Sequence, residues 1–414
     1  KKHGLEILRF KTGTPSRVDR RSLHMDKMEL EEGDPENHAF SFMSERKDRN
    51  KRNCWLTYTN EKTHEIIREN IMRAPKYAGK IHGIGARYCP SIEDKVVRFA
   101  DKDRHQLFVE PEGLDTTEMY VQGMSTSMPI DVQYAFLRTI PGFEDVKMMR
   151  PAYAIEYDLL DPLQLYPTLE VIKLPGLYSA GQSNGTSGYE EAAAQGLVAG
   201  INAALKIQGK DPFILARHEA YIGSLVDDLV TKGADEPYRM MTSRSEYRLI
   251  LRQDNADLRL TEKGHSIGLV GEERYARFLE RKKKYEEAMD YIRTQRFTPK
   301  EEINRALESM GTAPLTTGTG ADQILKRPEM TYRKMMEILG CPSFDEEAVE
   351  EMEITVKYEG YIARQEAAVR KAARMENEKL PLDMDYLSLD GISTEARQKM
   401  DKIRPLSLEQ APRI

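Results

Sequence analysis

Residues 174–207, LPGLYSAGQSNGTSGYEEAAAQGLVAGINAALKI, constrain the fold of this chain more than any other stretch. The apolar run LPGLYSAGQ predicts a short strand. YEEAAAQGLVAGINAALKI predicts a helix in which Ala193, Gly196, Gly200 and Ala204 leave room for a close neighbour. Between the two, Gly181, Gly185 and Gly188 let backbone amides face a ligand. Tyr189 and Glu190 would open the helix, whose positive end favours an anion. Two readings follow: a turn that cradles a phosphate or an electron-rich ring, or a packed corner whose glycines only relieve crowding. G-x-G-x-x-G occurs nowhere, since Gly83-x-Gly85 is followed by Tyr88 and Gly318-x-Gly320 by Gln323, and there is no P-loop.

On either side of this corner the texture differs. Residues 1–150 mix strand-like QLFVEPEG and EMYVQGMS with helical THEIIRENIMR and DVQYAFLRTI, the alternation of an α/β domain. Residues 151–208 add a strand, YAIEYDLLDP, ahead of the glycine turn. From 209 to 414, ARHEAYIGSLVDDLVTKG, EERYARFLERKKKYEEAMDYIRTQ and EEMEITVKYEGYIARQEAAVRKAARMENEKL are long, charged and periodic at helical spacing, with APLTTGTGADQ as a loop. The fold class is therefore α/β followed by mostly α, in a chain whose 414 residues suffice for two or three domains.

Composition removes several classes. Three cysteines, Cys54, Cys89 and Cys341, are too widely spaced for a disulfide framework or a structural zinc site, which points to a reducing cytoplasm. HEIIR at 64–68 has Arg68 where a zincin needs histidine, and no Ser–His–Asp arrangement can be argued from spacing. No apolar run approaches the roughly 18 residues of a membrane helix, and KKHGLEILRF is not a signal peptide, so a soluble protein is expected. Starting at Lys1 and ending at LEQAPRI, the chain reads as a fragment. Its net charge of −6 confines any nucleic-acid binding to a local patch.

Two constellations carry further chemistry. In GIGARYCPSIEDKVVRFADK, Ser91 stands three residues before Asp94, a loose capping box, so Cys89 lies just ahead of a helix N-terminus with Arg87 and Lys95 nearby. The helix dipole and the cations favour a thiolate, and they also make an anion site that Gly83 and Gly85 would let a pyrophosphate approach. The alternative is a half-buried cysteine at a capped helix. In YRMMTSRSEYRLILRQDNADLRL, Arg244, Arg248 and Arg252 recur every fourth residue and would line one helical face, flanked by Arg239 and Arg259, with Tyr238 and Tyr247 among them. Such a face holds phosphates and stacks bases; the alternative is a salt-bridged face neutralised by Glu246, Asp254 and Asp257. RKKKYEE and RQEAAVRKAARMENEK read as solvated helices.

AGQSNGTSGYEEAAAQGLVAGINAA resembles the turn with which the MnmG/GidA (glucose-inhibited division protein A) family completes its flavin site. RFKTGTPSRVD, YTNEKTHEIIREN, GARYCPSIEDKVVRFADKDRHQLFVEPEGL, RPAYAIEYD, EPYRMMTSRSEYRLILRQDNADLRLTEKG, RPEMTY and KYEGYIARQ are similar to that family's blocks, in its order. The resemblance implies a partial two-dinucleotide-binding, Rossmann-like flavoprotein with an inserted α/β domain (1–150) binding NADH. It makes 151–208 the returning part of the FAD-binding domain and 209–414 a helical region for tRNA and partner. The family's N-terminal flavin-binding segment and the end of its helical domain lie outside the chain on this reading.

By the same resemblance FAD contacts fall on Gly181, Gln182, Asn184, Gly185, Thr186, Gly188, Tyr189 and Glu190, Gln182 foremost. NAD contacts fall on Gly85, Ala86, Arg87, Tyr88, Cys89, Pro90, Ser91, Ile92, Glu93, Asp94, Lys95, Val96, Val97, Arg98 and Phe99, and RNA contacts on Arg239, Arg244, Arg248, Arg252 and Arg259. The implied reaction places an aminomethyl or carboxymethylaminomethyl group on carbon 5 of the tRNA wobble uridine, using methylenetetrahydrofolate and ammonium or glycine. A GTPase partner of the MnmE family acts with it, in a heterotetramer built on a homodimer. Cys89 is the implied thiolate that would activate the uracil ring. A flavin oxidoreductase of small molecules and a non-catalytic RNA- or partner-binding module are the other classes weighed.

Overall fold

Buried and more exposed residues alternate along residues 106–109 and along Glu118–Gln122, which sets Leu107, Val109, Met119 and Val121 on one face, and all four are fully buried. A computed structural model describes residues 2–34, 39–44, 50–87, 90–381, 383–405, 407, 408 and 410–413. In chain order its first elements are β1 (Ile7–Thr14), β2 (Arg17–Asp19), β3 (Glu29–Glu31), β4 (Cys54–Tyr58), α1 (Glu61–Glu69), β5 (Ile84–Gly85) and α2 (Ile92–Arg98). Next come β6 (Gln106–Pro111), β7 (Glu118–Gln122), α3 (Ile130–Leu137), β8 (Met148–Arg150), β9 (Tyr153–Leu160) and α4 (Tyr189–Ile207).

Six of these strands form one sheet in the order β3-β4-β6-β7-β2-β8, antiparallel at every pairing. Helices α1, α2 and α3 contribute Ile67, Ile92, Val96, Val132, Phe136 and Leu137 to the core with that sheet. Asn60 starts α1 because its Oδ1 accepts from the Thr63 amide (3.1 Å) while Thr63 Oγ1 accepts from the Asn60 amide (3.2 Å). The second sheet, β5-β1-β9, pairs β1 with β9 over eight antiparallel rungs from Ile7↔Leu160 to Thr14↔Tyr153. Apart from β5, which returns to pair with β1, residues 17–150 are thus an excursion between two paired strands. LPGLYSAGQ, expected to be a strand, forms only an isolated bridge, Glu170↔Tyr178. Pro175 lacks a donor, Gly176 takes φ +90°, and the Gly176 amide donates to the Glu170 carboxylate (2.6 Å) rather than to a neighbouring strand.

The remaining elements are α5 (Tyr221–Lys232), α6 (Ala256–Ser266), α7 (Glu272–Thr294), β10 (Arg296–Phe297), α8 (Glu301–Ser309), β11 (Thr319–Gly320), α9 (Ala321–Leu325), α10 (Tyr332–Leu339), α11 (Glu346–Asn377) and α12 (Thr394–Ile403). Their core joins Ala288, Met289 and Ile292 of α7 with Met352 and Val356 of α11. Contacts divide the chain into Lys1–Ile214 with Asp228–Met240, an α/β unit, and Leu215–Asp227 with Met241–Ile414, a mostly α unit. No described helix is long and apolar enough to cross a membrane.

Candidate functional site

The glycine stretch folds as a short 3₁₀ turn, Gly181–Asn184, followed by Gly185 in the left-handed region and α4. Gly181 (φ +77°) and Gly185 (φ +87°) hold conformations that a side chain would strain, and a Cβ on Gly185 would meet the Ala234 methyl at 3.0 Å. The turn is locked from within by Gln195, a fully buried residue of α4. Its Oε1 accepts from the Gly181 amide (3.1 Å) and Asn184 Nδ2 (2.9 Å), and its Nε2 donates to Thr186 Oγ1 (2.9 Å) and the Glu191 carbonyl (3.0 Å). The 236–240 segment lies alongside: the Tyr238 amide donates to the Gly185 carbonyl (2.8 Å) and the Ser187 amide to that of Tyr238 (3.2 Å).

Gly188 is the N-cap of α4, and no side chain caps the helix. The amides of Tyr189, Glu190 and Glu191 have no acceptor within the helix, so its positive end presents donors to a ligand. Glu191 sits at that end: its Oε1 accepts from the Met240 amide (2.7 Å) and Arg239 Nε (3.1 Å), while its Oε2 is buried beside Gly188 without a hydrogen-bond partner among the described residues. A Cβ on Gly188 would run into the Glu191 carboxylate. Tyr189 projects outward, 93% exposed, and Glu190 is exposed beside it. Gln182 neighbours Tyr157 of β9, whose hydroxyl burial pushes up in pKa while Gln182 pulls it down. The structure therefore gathers the eight turn residues around one uncapped helix end. Gln195 and Glu191, which organise it, escaped the sequence reading; the sole signal was a glutamine and a second acid inside an alanine-rich helix.

The region from Gly85 to Phe99 is built differently from expectation. Gly83 and Gly85 lack side chains because β1 fills the space: a Cβ would meet the Phe10 carbonyl carbon at 2.8 Å and Lys11 Cε at 2.7 Å, respectively. Asp94 does not close a capping box with Ser91, which makes no side-chain cap. It turns inward, where Oδ1 accepts from Lys76 Nζ (2.6 Å) and Tyr77 Oη (3.0 Å) and Oδ2 lies 3.8 Å from Lys11 Nζ. Burial opposes its charge, yet these partners hold the Asp94 pKa below the usual carboxylate value. Burial also lowers the pKa of Lys11, against the pull of Asp94. Glu93 is fully buried, with Oε1 accepting from Ser127 Oγ (3.0 Å) and Oε2 unpartnered, and Lys95 Nζ donates to the Gly123 carbonyl (3.2 Å). Buried carboxylates thus stand where anion donors were expected. Tyr88 and Cys89 lie outside the described residues.

The arginine block is not the helical face that its spacing suggested. Residues 245–255 are turns, and α6 begins only at Ala256, because side chains capture the backbone: Gln365 Oε1 accepts from the amides of Leu249 (3.1 Å) and Ile250 (3.2 Å). Arg252 donates to Glu351 Oε1 (2.7 Å) and Asp254 Oδ2 (2.9 Å). Arg259 donates to Asn255 Oδ1 (2.8 Å), to the Arg252 carbonyl (3.0 Å) and to the Glu219 carbonyl. Arg239 is held by Glu191, Arg244 is half-buried, and Arg248 is exposed without an ion pair among the described residues. Asp254 pairs with Arg252 as foreseen, whereas Asp257 accepts from Arg281 (2.5 Å) and Glu246 from Arg217 (2.8 Å). No group of His, Cys, Asp and Glu that would hold a metal occurs among the described residues.

Comparison with known proteins extends this picture. A family model described as glucose inhibited division protein A matches residues 1–211. Models described as the C-terminal helical domain and helical bundle of the tRNA modifying enzyme MnmG/GidA match 272–366 and 368–414. The chain is 55% identical over 415 residues to the tRNA uridine 5-carboxymethylaminomethyl modification enzyme MnmG of Caldicellulosiruptor saccharolyticus, spanning 100% of this chain and 66% of the relative. It is 56% identical to the protein so named from Clostridium kluyveri, over 99% of this chain and 66% of that one. Among solved structures it is similar to Aquifex aeolicus GidA, with a TM-score of 0.84 and 45% identity over 100% of this chain and 66% of that chain. The chain spans 66% of the length of these curated relatives.

Proposed function

The chain belongs to the glucose-inhibited division protein A family, and on that premise we propose that it is part of a flavin-dependent enzyme that modifies carbon 5 of the wobble uridine of tRNA. The observation that carries the reading is the uncapped N-terminus of the 19-residue α4 behind a turn that only glycine permits at Gly181 and Gly185. The residues present fit FAD, since the amides of Tyr189 to Glu191 have no acceptor within α4, no side chain caps the helix, and Gly188 leaves its backbone bare there. Bound there, the flavin supplies the redox chemistry of the carbon transfer.

The chain's own share is placement. The amides of Tyr189 to Glu191 favour negative charge building on an oxygen at the helix end. Arg239 pairs with Glu191 and lies 3.8 Å from Glu190, which offsets part of the negative charge that these two carboxylates bring to the helix end. Gln195 fixes the turn so that these donors need no rearrangement on binding, and Gln182 and Tyr189, both exposed at the turn, are the side chains that would meet the ring. NADH is the reductant that the family resemblance implies. The described part of 85–99 does not fit its pyrophosphate, for the reasons given by Gly83, Gly85 and Glu93, and no step is derived through it. For tRNA, Arg248 is the exposed arginine of the block, while the donors of Arg252 and Arg259 are spent internally. A GTPase partner, a homodimer and a cytoplasmic location complete the proposal.

The test is a mass-spectrometric inventory of tRNA nucleosides from cells lacking the complete gene. Loss of the 5-aminomethyl-type wobble uridines, and their return with the intact gene, is expected. An unchanged inventory in cells with no second copy refutes the tRNA reading.

A further inference from the structure

On α11, Tyr358 and Tyr361 are 46% and 57% exposed. Their ring centroids lie 6.3 Å apart with the planes inclined at 51°, so neither ring covers the other, and the Arg364 guanidinium lies 5.9 Å from the Tyr361 centroid. Flanking Tyr361 on the side of Arg364 is Gly360, exposed and inside a 32-residue helix, where a Cβ would have nothing within 4 Å. Glycine weakens a helix interior relative to alanine, and no packing among the described residues asks for it here. Its effect is to leave the helix backbone bare beside Tyr361, on the side where Arg364 stands one turn on.

One turn on from Tyr361, Gln365 fastens α11 to the segment that carries Arg248: besides accepting from Leu249 and Ile250, it donates to the Glu246 carbonyl (2.9 Å). Charge along this part of α11 favours a polyanion. Lys357 and Glu359 are paired with Glu353 and Lys326, which leaves exposed Arg364, Arg370, Lys371 and Arg374 against Glu366, in a chain of net charge −6. The exposed residues of 357–374 include no Leu, Ile or Met to anchor a protein helix.

We propose that Tyr358, Gly360, Tyr361 and Arg364 form a stacking platform for unpaired bases of an RNA loop, with Arg248 and the basic end of α11 holding its phosphates. Tyrosine faces and an arginine plane stack any base, and phosphate contacts supply sequence-independent affinity. The proposal rests on the tRNA reading above and gives it a docking surface.

The experiment measures binding of the full-length protein to a synthetic hairpin RNA with an open loop, and to a loop-free duplex of similar charge. The double variant Tyr358→Ala/Tyr361→Ala should bind the hairpin roughly 5- to 100-fold more weakly, with its salt dependence unchanged because no charge is lost. Tyr361→Phe should retain binding. Arg364→Ala should instead flatten the salt slope by about 0.7. Gly360→Ala separates folding from recognition, since it should raise the melting temperature while weakening the hairpin complex. A double variant that binds within about twofold of the parent, at unchanged melting temperature, overturns the platform, whether or not it has lost a protein partner. A parent with no affinity for either RNA refutes the tRNA reading itself, a result distinguishable from failure of the tyrosine variants alone.

Discussion

Replacing Gln195 with leucine tests whether the glycine turn is built for a ligand by internal hydrogen bonding. Leucine fills nearly the same space, so water does not enter, but it neither donates nor accepts. Two buried donors, the Gly181 amide and the Asn184 side-chain amide, then lose their acceptor, and Thr186 Oγ1 and the Glu191 carbonyl lose a donor. An unsatisfied buried donor costs about 1–3 kcal/mol, whereas a hydroxyl can rotate and a helix carbonyl keeps its helical bond. Counting mainly the two donors gives a loss of about 3 kcal/mol. For a unit of this size that lowers the melting temperature by roughly 6–12 °C. Calorimetry of the intact protein, with the flavin absorbance recorded before and after gel filtration, reads both effects, and flavin should be lost before the fold is. A Gln195→Leu protein that melts within about 2 °C of the parent and keeps its flavin would refute the claim that this residue holds the site.

Two further outcomes follow from buried groups. Burial, then the hydrogen bond and charge of Asp254, push the Glu351 pKa up to about 8. A carboxyl whose folded pKa exceeds its unfolded value loses stability as pH rises between the two. The helical unit should therefore weaken from about pH 4.5 to 8 by at most about 1.4 kcal/mol per pH unit and level off above. Glu351→Gln keeps a donor for Asp254 and should flatten that slope in pH-dependent melts; an unchanged slope counts against a proton held at Glu351. Gly83→Ala would press a methyl against the Phe10 backbone at 2.8 Å, where no flexible side chain can yield. It should cost about 2 kcal/mol by prying β5 from β1, read as a lowered midpoint in urea, and a neutral result would disprove the close approach.

What the sequence determined by itself were the features that short-range rules govern. The helix at 189–207 was legible to the residue, because an alanine-rich run follows glycines that cannot continue a helix backward. The alternation of Leu107 and Val109, and of Met119 and Val121, likewise specified two half-buried strands. The family assignment was legible too, since ordered blocks survive across the whole chain. Spacing failed where a distant side chain outbid local preference. Arg244, Arg248 and Arg252 keep a helical interval, yet Gln365, more than a hundred residues away, binds the amides that a helix would have used. Asp94 has a capping partner at the right offset, but Lys11 and Lys76 draw it into the interior. Gly83 and Gly85 looked like room for a ligand and prove to be room for β1. Antiparallel pairing throughout the six-stranded sheet was equally invisible, because alternation fixes which face is buried and says nothing of which strand lies beside it. A buried charge or amide takes whichever partner the fold brings within hydrogen-bonding distance, and only the tertiary structure decides which that is.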